Sequence, residues 1–133
     1  MGNLSTRLAG EGRAFVLVVE DDDDLRMALT HGLEAEGFTV ESVASASAAY
    51  ERVGESRPDL VLLDWWLGEG EMGAAACRRL AEDAGLHVVM HTGMSDARDR
   101  AAAFRAGAVG YLQKGMPLEE LAERLRRVLA EVE

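Results

Sequence analysis

The chain has 133 residues, 48% of them apolar and 5% aromatic, with 24 acidic side chains against 14 lysines and arginines and a net charge of -10. That length suits one domain around one core, and the acidic balance argues against non-specific nucleic-acid binding, which needs a basic face. Cys77 is alone, which excludes an intrachain disulfide and a cysteine-based zinc site, and no apolar run approaches a membrane span, so a reduced cytoplasm is the expected home.

Residues 1–13 mix glycine, polar and small residues without a period and read as a flexible tail, leaving 14–133 as a single domain. The opening "MGNLST" fits the myristoylation pattern through Gly2 and Thr6, but no second anchoring signal follows it. "AFVLVV" at 14–19 is a continuous apolar run of strand length, as in a parallel strand buried on both faces. It runs straight into five carboxylates at 20–24. Residues 23–36 then place Leu25, Ala28, Leu29 and Leu33 at helical spacing, with a stop at Gly37. "FTVESV" at 38–43 is a short strand, and 45–54 is a small-residue helix opened by a serine. "DLVLLD" at 59–64 is a second buried strand, introduced by Pro58. A helix over 74–84 ends at Gly85, and "LHVVMH" at 86–91 is the next strand. A helix over 95–106 is capped by Ser95 or Asp96 and closed by Gly107. "VGYLQK" at 109–114 is the last strand, followed by an amphipathic helix over 117–132 with Leu118, Leu121, Leu125, Val128 and Leu129 inward.

Strand and helix thus alternate five times with short connections, which implies an α/β fold with a parallel sheet covered on both faces. Right-handed crossovers restrict its topology. In such sheets ligands bind beyond the carboxyl ends of the strands, at the switch in strand order. The residues standing there are Glu20, Asp21, Asp64, Thr92 and Lys114. Asp22, Asp23 and Asp24 have an ordinary explanation, since carboxylates cap the free N–H groups of a helix and suit its dipole. Glu20 and Asp21 come too early to cap. Either they and Asp64 are solvated strand-end charges, or they converge and repel, and a hard divalent cation, Mg2+ by preference, relieves the repulsion.

Other patterns carry less. The acidic run lacks the glycine and terminal glutamate of an EF-hand. His87 and His91 share a strand face without a third ligand, and His31 lies on another element, so these read as core or surface histidines. "GEGEMG" at 68–73 fits G-x-G-x-x-G, but Asp64, Trp65, Trp66 and Leu67 intervene between it and the apolar run of the strand, and the following strand ends in His91 rather than an acid. It reads as a surface loop.

At these residues the sequence resembles the response regulator receiver domain, the family of the bacterial chemotaxis protein CheY. "VLVVEDDDDLR" resembles the family's first strand with its acidic pair, Glu20 and Asp21; "PDLVLLD" the phosphoacceptor strand ending in Asp64; "VVMHTG" the strand ending in the switch hydroxyl, Thr92; and "AGAVGYLQK" the strand carrying the switch aromatic, Tyr111, and the lysine, Lys114. The likeness covers 14–133. It implies a flavodoxin-like (βα)5 fold, doubly wound, with strand order 2-1-3-4-5.

The resemblance further implies that Asp64 takes a phosphoryl group from a sensor histidine kinase, a histidine phosphotransfer protein or a small phosphodonor. Mg2+ would be held by Asp21, Asp64 and the backbone carbonyl of Trp66, with Glu20 acting through water. Lys114 and Thr92 would bind the phosphoryl oxygens. Tyr111 would turn inward and change the face made by the last two helices and last strand, where a downstream protein would dock. Such a protein catalyses its own phosphorylation and dephosphorylation, in the service of a signalling switch. Arg98, Arg100 and Arg105, with Arg124, Arg126 and Arg127, would mark this output face, or form a solvated surface of i,i+4 pairs.

Several positions depart from the family pattern. Gly68 stands for its proline, Gly73 comes one residue later than its glycine, Trp65 and Trp66 are bulky beside the site, and Gly115 replaces the proline after the lysine. In the family that proline follows a cis peptide; before glycine the cis form costs about 2.5–4 kcal/mol, so a trans Lys114–Gly115 bond is expected. The chain stops just after the fifth helix, which leaves no room for a DNA-binding output domain and suggests no nucleic-acid and no membrane partner. Two readings remain: a phosphorylated stand-alone receiver, or a degenerate receiver that acts as a phosphorylation-independent interaction module. A piece of a hybrid kinase is compatible with the same residues.

Overall fold

The computed structural model describes residues 13–67, 73–93 and 96–132. Its elements are β1 (Phe15–Val19), α1 (Asp23–Ala35), β2 (Thr39–Val43), α2 (Ala46–Glu55), β3 (Leu60–Asp64), α3 (Gly73–Arg78), β4 (Val88–Thr92), α4 (Ala97–Arg105), β5 (Gly110–Gln113) and α5 (Leu118–Glu131). All the strand pairs are parallel and their order is β2-β1-β3-β4-β5, the doubly wound arrangement expected. The tail over 1–13, with Gly2 and Thr6, lies outside the described residues apart from Arg13.

Alternate residues of each strand feed two cores. Leu17, Val19, Val61, Leu63, Val88 and Met90 pack with Ala46, Ala49, Ala76, Cys77, Leu80 and Ala103 of α2, α3, α4 and the turn after α3. Val16, Val18, Leu60, Leu62, Val89 and Leu112 pack with Leu29, Leu33, Leu121, Leu125 and Leu129 of α1 and α5. β1, β3 and β4 are therefore apolar on both faces, which is why they read as unbroken runs. Of the expected inward residues of α5, Leu118 and Val128 are half-buried at the margin and Ala122 takes a core place.

Local signals account for most boundaries. Asp22 caps α1, its carboxylate accepting from Leu25 N at 2.9 Å, and Ser45 caps α2 through Ala48 N at 3.1 Å. Asp96 caps α4 by accepting from Arg98 N; the alternative cap, Ser95, lies outside the described residues. One helix differs from its pattern. The segment expected as a single α-helix over 74–84 passes at Arg79–Asp83 into a π-helical turn, with Ala84 N bonded to Arg79 O. Arg57 closes this end by donating to Ala84 O and Gly85 O at 2.8 and 2.9 Å. Among the described residues no helix is long and apolar enough to cross a membrane.

Candidate functional site

Strand order reverses between β1 and β3, and the site stands at their carboxyl ends. Val19 and Leu63 are register partners, so Glu20 and Asp64 emerge side by side. Glu20 is 2% exposed and Asp64 3%, whereas Asp21, one residue further on, is open to solvent. One carboxylate oxygen from each of the three lies within 4.8 Å of the others. Lys114 follows β5, two strands away from β3, and its stem crosses the end of β4. Its ammonium stands 3.0 Å from Asp64 Oδ1 and 2.9 Å from Glu20 Oε1, an oxygen with no other partner among the described residues. The Lys114 amide is fixed to Thr92 O at 2.6 Å. Backbone donors complete the frame: Asp22 N reaches Glu20 Oε2 at 3.1 Å and Trp66 N reaches Asp64 Oδ1 at 3.3 Å.

Three carboxylates face one ammonium, so the ionised cluster is net negative. Burial pushes the Glu20 carboxyl above its usual range, although hydrogen bonding to Lys114 and to Asp22 opposes the shift. Burial also pulls at the Lys114 ammonium, but hydrogen bonds from it to Glu20 and Asp64 outweigh that and hold it above the ordinary lysine value. Two buried carboxylates, a third at the rim and an under-partnered oxygen make a hard oxygen-donor set that fits a divalent cation. Among the described residues this is the one His, Cys, Asp and Glu group of that kind.

The remaining expected residues stand at the next two strands. Thr92 ends β4 and is 1% exposed. Tyr111 pairs in register with Met90 and hydrogen-bonds to the Thr92 side chain. Burial first, then the charge of Asp99, lifts its phenol above the usual value, with the Thr92 bond opposing. The Lys114–Gly115 peptide is trans, as expected, and Gly115 takes a left-handed φ of 99°. Gly73 opens α3 against the chain just past Asp64: its N donates to Trp65 O at 3.0 Å, and a Cβ there would stand 2.4 Å from that oxygen. The later glycine therefore sits where only glycine fits. Residues 68–72, with Gly68, lie outside the described residues. Trp65 is buried, and Trp66 is 51% exposed.

One neighbour of the site carries little signal in the sequence. Arg26, one turn into α1, donates to Glu20 O at 2.9 Å and pairs with Asp23. Its signal was a lone arginine six residues after Glu20, facing back toward it. The arginines of the expected output face divide. Arg124 and Arg127 make i,i+4 pairs with Glu120 and Glu123. Arg126 turns the other way, to Glu36 and the Phe38 ring. Arg98, Arg100 and Arg105 are exposed beside the exposed Phe104 and Val109.

His91 is a core histidine in register with Asp64. Burial, aided by the Lys114 charge, pushes it down to about 4. The folded protein therefore refuses a proton that the unfolded chain takes near pH 6.5, and stability falls as pH drops from there toward 4. Between pH 7.5 and 5 the loss from this residue is about 2 kcal/mol. Urea unfolding of the wild type and of His91→Asn at both pH values isolates it. A difference that stays flat would show that His91 protonates as readily folded as unfolded.

The response regulator receiver domain family matches residues 16–126. The DNA-binding response regulator MtrA of Mycolicibacterium smegmatis is 40% identical over 114 residues, covering 86% of this chain and 50% of MtrA. The phosphate regulon transcriptional regulatory protein PhoB of Rhizobium meliloti is 36% identical over 117 residues, covering 86% of this chain and 51% of PhoB. The chain thus spans about half the length of these relatives. A CheY-like receiver domain protein from Methanospirillum hungatei superposes with a TM-score of 0.83 at 25% identity, covering 90% of this chain and 96% of that one. The BeF3-activated receiver domain of Klebsiella pneumoniae RstA does so with a TM-score of 0.80 at 29% identity, covering 86% and 97%.

Proposed function

Because the chain belongs to the response regulator receiver domain family, a family of two-component signalling, we propose that it accepts a phosphoryl group on Asp64 in a Mg2+-dependent reaction. The observation that carries this reading is the placement of a buried Asp64 between two other carboxylates and the Lys114 ammonium, at the switch point of the sheet. Asp21, Asp64 and the Trp66 carbonyl would hold the ion, and Glu20 would act through water. Bound there, Mg2+ would offset the charge that the nucleophile and the phosphoryl oxygens share.

The chain's own groups do the rest. An Asp64 carboxylate oxygen bonds to phosphorus as the bond to the donor nitrogen of a phosphohistidine, or to the carboxylate of acetyl phosphate, breaks. Trp66 N orients that carboxylate beforehand. Lys114 exchanges part of its contact with Glu20 and Asp64 for a phosphoryl oxygen, which its flexible stem allows. Thr92 closes on another oxygen. Tyr111, bonded to Thr92, follows, and the surface of α4, β5 and α5 changes. The partners of this proposal are a sensor histidine kinase or histidine phosphotransfer protein on one side, and a protein target of the α4–β5–α5 surface on the other. A cytoplasmic setting belongs to the same proposal. MtrA is named as DNA-binding; for residues 14–133 of this acidic chain, nucleic-acid contact is not proposed.

The test is incubation with phosphoramidate or acetyl phosphate, read by intact mass. One phosphate is expected with Mg2+ and none with EDTA. A protein that gains no mass with Mg2+ present would be the phosphorylation-independent module instead.

A further inference from the structure

Lys114 must be held in place without the ring that a proline would supply. Its neighbour Gly115 has a left-handed φ and nothing within 4 Å of where a Cβ would stand, so that residue itself fixes little. Met116 packs half-buried at the edge of the core shared by α1 and α5, and the next apolar side chain goes further. Leu118, the first residue of α5, enters a notch in the last turn of α1 that exists because residue 32 is glycine. A Cβ on Gly32 would stand 2.6 Å from Leu118 Cγ and 2.7 Å from Leu118 Cδ1.

We propose that the Gly32–Leu118 notch is a positioning device for Lys114, setting the distance between the start of α5 and α1 and so the reach of the ammonium into the carboxylate cluster. Three residues of chain, Gly115, Met116 and Pro117, join Leu118 to Lys114, and Lys114 meets Glu20, which leads into α1. The path from Glu20 along α1 to Gly32, across to Leu118 and back through Lys114 is closed. Widening it at the notch moves one side of the ion pair relative to the other. Glycine is a poor choice inside a helix on propensity alone and leucine a good one, so the helix tolerates Gly32 for the sake of this contact.

This inference rests on the phosphoryl-acceptance reading for its consequence, but not for its geometry. The test uses Gly32→Leu alone and combined with Leu118→Ala, which moves the leucine from one side of the contact to the other. In Gly32→Leu the amide resonances of Lys114 and Gly115 should shift. Phosphoryl uptake should slow at least about tenfold, the scale of a small misplacement of a reacting group. The melting temperature should fall, because a side chain at position 32 overpacks the contact with Leu118. The double variant should return both readouts close to wild type. A merely structural role would lower the melting temperature in the same way but leave the loop resonances and the uptake rate in place. Unmoved resonances in Gly32→Leu would overturn the proposal whatever the chemistry does. Moved resonances with wild-type uptake would overturn its link to the reaction. Should Gly32→Leu fail to fold, Gly32→Ala, with a smaller intrusion at the same place, carries the same readouts. A wild type that takes no phosphate would sink the functional reading while leaving the resonance test intact.

Discussion

Asp64→Asn should take up no phosphate under conditions in which the wild type takes up one. The amide oxygen is not an anion and is a far poorer nucleophile than a carboxylate. Glu20 is buried against Lys114 and Asp21 faces solvent, so neither stands where Asp64 does. The loss should exceed about a hundredfold in rate, comparable with removing a group that acts in covalent catalysis. The fold should not suffer. Removing one of the two carboxylates paired with the Lys114 ammonium leaves Glu20 with less repulsion, and repulsion from Asp64 is among the causes that raise its pKa. In the absence of divalent ions Asp64→Asn should therefore melt at least as high as the wild type, and Mg2+ should stabilise it less. Full phosphate uptake by the variant would show that another group is the nucleophile.

Leu63→Ala should have the opposite profile, a large loss of stability with the reacting groups untouched. Leu63 lies in β3, inside the sheet between β1 and β4, and is 0% exposed. It packs in the core formed with α2, α3 and α4, among residues that include Leu17, Val61 and Met90. Neighbours on both flanking strands prevent the backbone from collapsing into the space left behind. Such truncations cost about 2–5 kcal/mol, lost transfer energy plus the cavity. Against a typical domain stability of about 5–15 kcal/mol that is a substantial share. Urea unfolding at neutral pH measures it, and a loss below about 1 kcal/mol would mean that this core repacks freely.

The strands and their order were legible because a doubly wound sheet writes itself into sequence. β1, β3 and β4 are apolar on both faces, and each ends in the polar residues that reach the site. Glu20, Asp21 and Asp64 were legible by position alone, since parallel neighbours bring strand ends together. Three features were not. The π-helical turn at Arg79–Asp83 follows a segment whose apolar spacing suits an ordinary helix, and an extra residue per turn changes that spacing too little to notice. The bridging of Glu20 as well as Asp64 by Lys114 depends on where a long flexible stem settles, which no period encodes. Arg126 reads like its neighbours Arg124 and Arg127, but one step along a helix is about 100°, enough to turn it toward Glu36 and Phe38 instead of the outer face.

In the proposed reaction the phosphoryl group comes to rest on the carboxylate of Asp64. Borohydride reduces an acyl phosphate to an alcohol, so a phosphorylated aspartate becomes homoserine, which peptide mass mapping locates. After treatment with phosphoramidate and Mg2+, homoserine is expected in place of Asp64, and it should be absent when EDTA replaces the metal. Homoserine in place of Asp21, or an unreduced Asp64 in protein that has gained a phosphate, would contradict the account.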